Sequence, residues 1–109
     1  MILIFGGAYQ GKLAYAQERF GTERTIINEL DQQILTWVQA GEDVPEKIRQ
    51  FIATNSDAVV ICNDISCGVV PMDAIMRKWR EETGRAMGAL ARHSTEVVRL
   101  FCGIPTRVK

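Results

Sequence analysis

The sequence predicts an α/β fold, three layers deep, around a mostly parallel sheet of four to five strands. Three observations predict it. The short runs at residues 2–5 and 58–62 are apolar throughout, as strands covered on both faces require. Stretches with apolar residues at helical spacing separate the strand candidates. No repeat, low-complexity tract or long linker breaks the alternation, so residues 1–109 read as one domain.

The elements follow in order. Residues 2–5 form a first strand that ends in glycines, and its two apolar faces place it inside the sheet. Residues 11–20 turn helical, with Leu13, Ala16 and Phe20 on one side, and Gly21 stops the helix. Residues 25–27 are a second, short strand. Leu30, Ile34, Leu35 and Val38 then recur at helical spacing up to Gly41. Pro45 sits in the first turn of the next helix, where a missing N–H costs little, and Ile48, Phe51 and Ile52 are its apolar stripe. Residues 58–62, "AVVIC", are a buried strand, followed by the turn "NDISCGVVP" closed by Pro71. Asp73 caps a long helix to about Arg92, with Ile75, Met76, Trp79, Thr83, Ala86, Met87 and Leu90 as its stripe. Gly84 inside that helix reads as a close-packing point or a break. Residues 97–101 are a further strand, and the chain turns at Gly103 into a short final one. Trp37 and Trp79 read as core or interface residues.

Lysine plus arginine and aspartate plus glutamate number thirteen each, so no global field draws the chain to nucleic acid or to an anionic membrane. No apolar run approaches the ~20 residues of a membrane span. The opening "MILIFGG" has neither a basic leader region nor a cleavage site. Cys62, Cys67 and Cys102, an odd number without a leader, read as reduced thiols of a cytoplasmic protein. The spacing of Cys62 and Cys67 and a single histidine, His93, predict no metal site.

The chemistry is concentrated at the end of the first strand, in "IFGGAYQGKLAYA". Gly6, Gly11 and Lys12 satisfy the spacing G-x-x-x-x-G-K of a phosphate-binding loop, in the strand–loop–helix context that the motif needs. Gly6, Gly7, Ala8 and Gly11 allow backbone N–H groups to face an anion, the helix start adds its positive dipole end, and Lys12 reaches the phosphates. Position 13, where a serine or threonine hydroxyl would meet Mg²⁺, is Leu13. An aliphatic group supplies no oxygen, so phosphate cradling survives while phosphoryl transfer is weakened. Binding of ATP or GTP through Lys12 and the amides is then expected to be weak and nearly independent of Mg²⁺. The alternative is a structural glycine turn.

The second half of the chain identifies the loop. "VVICNDISCGVVP" and "AIMRKWREETGRAMGALARHSTEVVRLFCGIPTRVK" resemble the end of the adenosylcobinamide kinase/adenosylcobinamide-phosphate guanylyltransferase family. Shared positions include Asn63, Gly68, Val70, Pro71, Arg77, Arg80, Gly84, Arg85, Glu96, Val97, Gly103 and Lys109. The loop GGAYQGKL is similar to the family's GGARSGKS. The resemblance implies a P-loop protein acting late in cobalamin assembly. Members phosphorylate the aminopropanol arm of a corrinoid with a nucleoside triphosphate, then transfer GMP from GTP through a covalent histidine. They assemble, which implies a homo-oligomer.

The chain departs from the family in four respects. Members are longer, and the difference falls between the first helix and the strand at residues 25–27, where the guanylylated histidine resides. His93 stands where the family has alanine, near a helix end, and is no nucleophile. The family's strand-end carboxylate corresponds to Asn28 in "IINELD", and Glu29 and Asp31 are at the wrong spacing to replace it. Met87-Gly88 replaces an Asn-Gln pair, and Asp64 replaces a glutamate.

Asn63 and Asp64 follow a strand C-terminus, where ligands bind in open α/β sheets, and join the nucleotide site with Arg85, the arginine that matches the family best. Arg77 and Arg80 read as a solvated helix face or as contacts to phosphate or a neighbouring subunit. Three readings of function remain. The first is a nucleotide-binding protein without guanylyl transfer and with kinase activity weak or absent. The second is an active minimal kinase. The third is a structural or interaction protein with a vestigial loop.

Overall fold

The computed structural model describes residues 1–65 and 73–109. Residues 66–72 of the turn closed by Pro71, among them Cys67, Gly68 and Val70, lie outside the described residues. Among the described residues five strands and four helices follow in the order β1 (Ile2–Gly6), α1 (Lys12–Phe20), β2 (Ile26–Ile27), α2 (Leu30–Gln39), α3 (Val44–Thr54), β3 (Val59–Asn63), α4 (Ala74–His93), β4 (Glu96–Phe101) and β5 (Ile104–Arg107).

The strands form one sheet in the order β2-β3-β1-β4-β5. The first four run parallel, and β5 returns antiparallel against β4. β1 lies at the centre, as its two apolar faces require. Leu3 packs on one side with Val60, Val97, Leu30, Ile34 and Leu90, which are the buried residues of β3, β4, α2 and α4. Ile2 and Ile4 pack on the other side with Val59, Ile61, Val98, Leu100, Ala16 and Phe20. Helix α1 therefore covers one face and α2, α3 and α4 the other, which gives the expected three layers. The connection from β1 to β2 runs one way across the sheet and the connections β2–β3 and β3–β4 run the other. Right-handed crossovers then put α1 and the remaining helices on opposite faces.

Local signals fix the helix ends. The carboxylate of Asp43 accepts from Glu46 N at 3.2 Å, with Pro45 in the first turn of α3. That of Asp73 accepts from Ile75 N at 2.8 Å and Met76 N at 3.2 Å. Gly41 has φ +72° and stops α2, a conformation that costs glycine nothing. Arg19 of α1 makes two bonds to Glu96 at the start of β4, one of them from Nη2 at 3.0 Å. The Arg19 bond holds the Glu96 carboxyl below its ordinary range, against a smaller opposing effect of burial. No helix among the described residues is long and apolar enough to cross a membrane.

Three details differ from the sequence reading. The buried side of α1 is Lys12, Ala16 and Phe20, while Leu13 is 39% exposed. Ile75 is exposed at the start of α4. Gly84 neither breaks α4 nor permits a close approach, because a Cβ there would meet nothing within 4 Å. Gly84→Ala is expected to raise stability by about 0.5–1 kcal/mol, by lowering the backbone entropy of the unfolded chain. Urea unfolding should show a higher midpoint with an unchanged slope.

Candidate functional site

β1 ends at Gly6, between β3 and β4, where the connections to α1 and α4 leave on opposite faces of the sheet. Such a switch point opens a crevice at the C-terminal ends of the strands. Gly6 has φ +149°, and a Cβ on it would lie 2.4 Å from the carbonyl oxygen of Leu100 in β4. Only glycine fits so close to a neighbouring backbone. Gly6 O accepts from Asp64 N at 2.8 Å, which joins the start of the loop to the end of β3. Tyr9 has φ +61° and is fully exposed at the loop tip. Gly11, with φ +86°, ends the loop as the residue before α1, and no side chain caps that helix start. The N–H groups of a helix's first turn have no partner within the helix and suit an anion.

Two further contacts shape the loop. Lys12 is 6% exposed, and its Nζ turns back to donate to Gly7 O at 2.5 Å. Burial pushes the Lys12 amine below its ordinary range, and the charge of Asp31 and the thiol of Cys62 partly oppose that shift. Gln10 binds the loop to the β4–β5 turn: its Oε1 accepts from Cys102 N at 2.5 Å and its backbone oxygen from Gly103 N at 3.2 Å. The turn is two residues long and both have positive φ, Cys102 at +51° and Gly103 at +75°, as a tight hairpin of this hand demands.

A cavity of about 300 Å³ opens beside the loop, lined by Ala8, Gly11, Lys12, Leu13 and Asn63, together with Tyr9, Gln10, Ala14, Asn28 and Glu29. The structure thus brings together most of the residues singled out in the sequence. Gly6 and Gly7 form the loop behind the cavity, and Asp64 follows Asn63 out of β3, half-buried. Leu13 contributes a bare aliphatic wall.

Arg85 is not among them. It lies on α4, where its Nη1 bonds Glu82 Oε1 at 3.1 Å, and it lines a separate groove between α3 and α4. Arg77 and Arg80 belong to the same helix. His93 is the last residue of α4, beside the start of β4, at the end of the sheet opposite the loop. Cys62 is fully buried in β3, and burial pushes its thiol up to about 12, which suits a small apolar filler and not a nucleophile.

Sequence spacing misplaces one residue. Asp31 is 1% exposed, in the first turn of α2. Its Oδ1 accepts from Asn63 N at 3.2 Å, and its Oδ2 accepts from Asn63 Nδ2 and from Gln32 Nε2, each at 3.3 Å. Its carbonyl accepts from Trp79 Nε1 at 2.7 Å, which fixes the start of α2 against α4. The cause is the backbone at Glu29, with φ +57°. This left-handed residue turns the chain directly from β2 into α2 and swings the first helical turn across the end of β3. A carboxylate that looks too far along the chain is thereby set beside the wall of the cavity, through Asn63.

The model of the cobinamide kinase / cobinamide phosphate guanyltransferase family matches residues 22–108. The matched segment runs from the turn after α1 through β5, so the glycine loop and α1 precede it. None of the curated proteins compared with the chain matches it.

Proposed function

The chain belongs to the cobinamide kinase / cobinamide phosphate guanyltransferase family. On that premise we propose that its loop binds the phosphates of ATP or GTP, with a corrinoid as the second ligand, while guanylyl transfer is lost and kinase activity is weak or absent. Gly6, Gly7, Ala8 and Gly11 offer the backbone, Lys12 the charge, and Asn63 a further part of the lining, with Asp64 next to it in the chain.

The observation that carries this reading is Lys12. Taking an ammonium out of water is costly unless strong acceptors replace its hydration. Here a single loop carbonyl accepts from Nζ, beside an open cavity and the bare start of a helix. Phosphate oxygens supply the acceptors that this amine lacks. Leu13 leaves no hydroxyl for a metal ion, and His93 stands at the far end of the sheet, so neither group serves transfer chemistry in the manner of the family.

A second reading, the active minimal kinase, is favoured by Asp31. A buried carboxylate against Asn63 restores an acidic group near the end of the strands despite Asn28.

Calorimetric titration with ATP and with GTP, each with and without Mg²⁺, tests the first reading. Millimolar or tighter binding is expected, together with no protein labelling by GTP carrying a radioactive α-phosphate. Binding of neither nucleotide would leave the loop vestigial. Phosphorylation of a cobinamide at a sustained rate would favour the second reading.

A further inference from the structure

Asp31 has no part in the nucleotide-binding reading proposed first, yet it is among the most deeply buried charged groups of the described chain. Its hydrogen bonds come from neutral donors: the backbone and amide of Asn63, and Gln32. Among the described residues it forms no ion pair. The positive charge that it acts on is Lys12, whose amine it stabilises through space. Lys12 is also the one lysine or arginine among the described residues lining the cavity, and Glu29 lines the same wall. The loop amides invite an anion, but the side-chain charges around it do not. Lys12 is offset by Asp31, and Glu29 adds a further negative charge.

We infer that Asp31 is a positioning residue of the phosphate site, filling from helix α2 the place that the sequence leaves to Asn28. It fixes Asn63 at the cavity wall, and its buried charge opposes Lys12. An unshielded triphosphate then meets a site with little net positive charge, and the nucleotide binds well only with a divalent cation to screen it. This reverses the Mg²⁺ independence expected from Leu13 alone. The loop lacks a hydroxyl ligand, but the field beside it penalises the free nucleotide. The inference rests on the loop being a nucleotide site.

The test measures ATP affinity by calorimetry in EDTA and in excess Mg²⁺. Wild type should bind the Mg²⁺ complex at least tenfold more tightly than free ATP. Asp31→Asn keeps the size of the side chain and an oxygen to accept from Asn63 N, and removes the charge. Free ATP should then bind on the order of tenfold tighter than to wild type, the scale of one partly buried charge acting through space. Binding of the Mg²⁺ complex should stay the same or weaken. A merely structural role would weaken both forms together and would not improve binding of the free nucleotide. Asn63→Ala, which removes the amide and leaves the charge, should move both affinities in the same direction. Asp31→Ser, smaller, polar and uncharged, replaces Asp31→Asn if that variant does not melt cooperatively. An unchanged ratio of the two affinities in the charge-removing variant overturns the assignment. So does a wild type that binds both forms equally, whatever the variants do. A wild type that binds neither form refutes the nucleotide reading itself, an outcome distinct from both.

Discussion

Gly6→Ala should cost roughly 3 kcal/mol or more, enough to unfold much of the population of a domain this small. Two effects combine. The residue has φ +149°, a conformation that L side chains rarely adopt, and the new Cβ would stand 2.4 Å from Leu100 O. The obstacle is backbone, which has no rotamer to yield. β4 is also held in place, hydrogen-bonded to β1 on one side and to β5 on the other. Relief therefore requires separating β1 from β4 at the centre of the sheet. Thermal melting followed by far-UV circular dichroism should show a large drop in midpoint or no cooperative transition. A variant within ~1 kcal/mol of wild type would show that the end of β1 is far more pliable than its packing indicates.

Lys12→Met should have the opposite profile, with stability kept and nucleotide binding lost. The side chain is almost wholly buried, so methionine retains most of the packing of the stem while removing an amine that burial already penalises. Stability is expected to hold or rise slightly. The charge-assisted contact to phosphate is lost, about 1.5–3 kcal/mol or ten- to a hundredfold in affinity. Calorimetry and urea unfolding on the same preparation separate the two effects. Loss of stability and binding together would mean that Lys12 mainly holds the loop through Gly7.

The layered sheet was legible because its evidence is local. The apolar runs around Leu3 and Val60 have no polar face, and a strand with no polar face belongs in the interior. Asp43, Asp73, Pro45 and Gly41 mark helix ends by chemistry confined to a few neighbouring residues. The loop was legible for the same reason, since Gly6, Gly11 and Lys12 lie within one turn of chain. What escaped depends on distant contacts or on direction. Leu13 was assigned to the apolar side of α1 by hydrophobicity, but the helix is rotated so that the stem of Lys12 is buried there. A lysine folded back on its own loop leaves no trace in a hydropathy pattern. Asp31 meets Asn63 across 32 positions of sequence, and only the left-handed backbone at Glu29 brings them together. Arg85 was grouped with the loop by resemblance, and the fold sets it on α4 beside Glu82, in a groove apart from the loop cavity.

The two borders of the sheet bear on how the protein behaves when crowded. β2 offers only two residues as a template. β5 is longer, and the bond from Val108 N to Val97 O sets the alternation of its amides. By that alternation the amides of residues 105 and 107 point away from β4. Pro105 has no hydrogen to give there, and Arg107 guards the second position with a charge. An incoming strand would find one donor where it needs a row, although Phe101 and Ile104 stand exposed at the head of the hairpin. The last strand is thus a poor seed for amyloid-like stacking, and concentrated solutions should resist fibril growth along this border for as long as the hairpin stays folded.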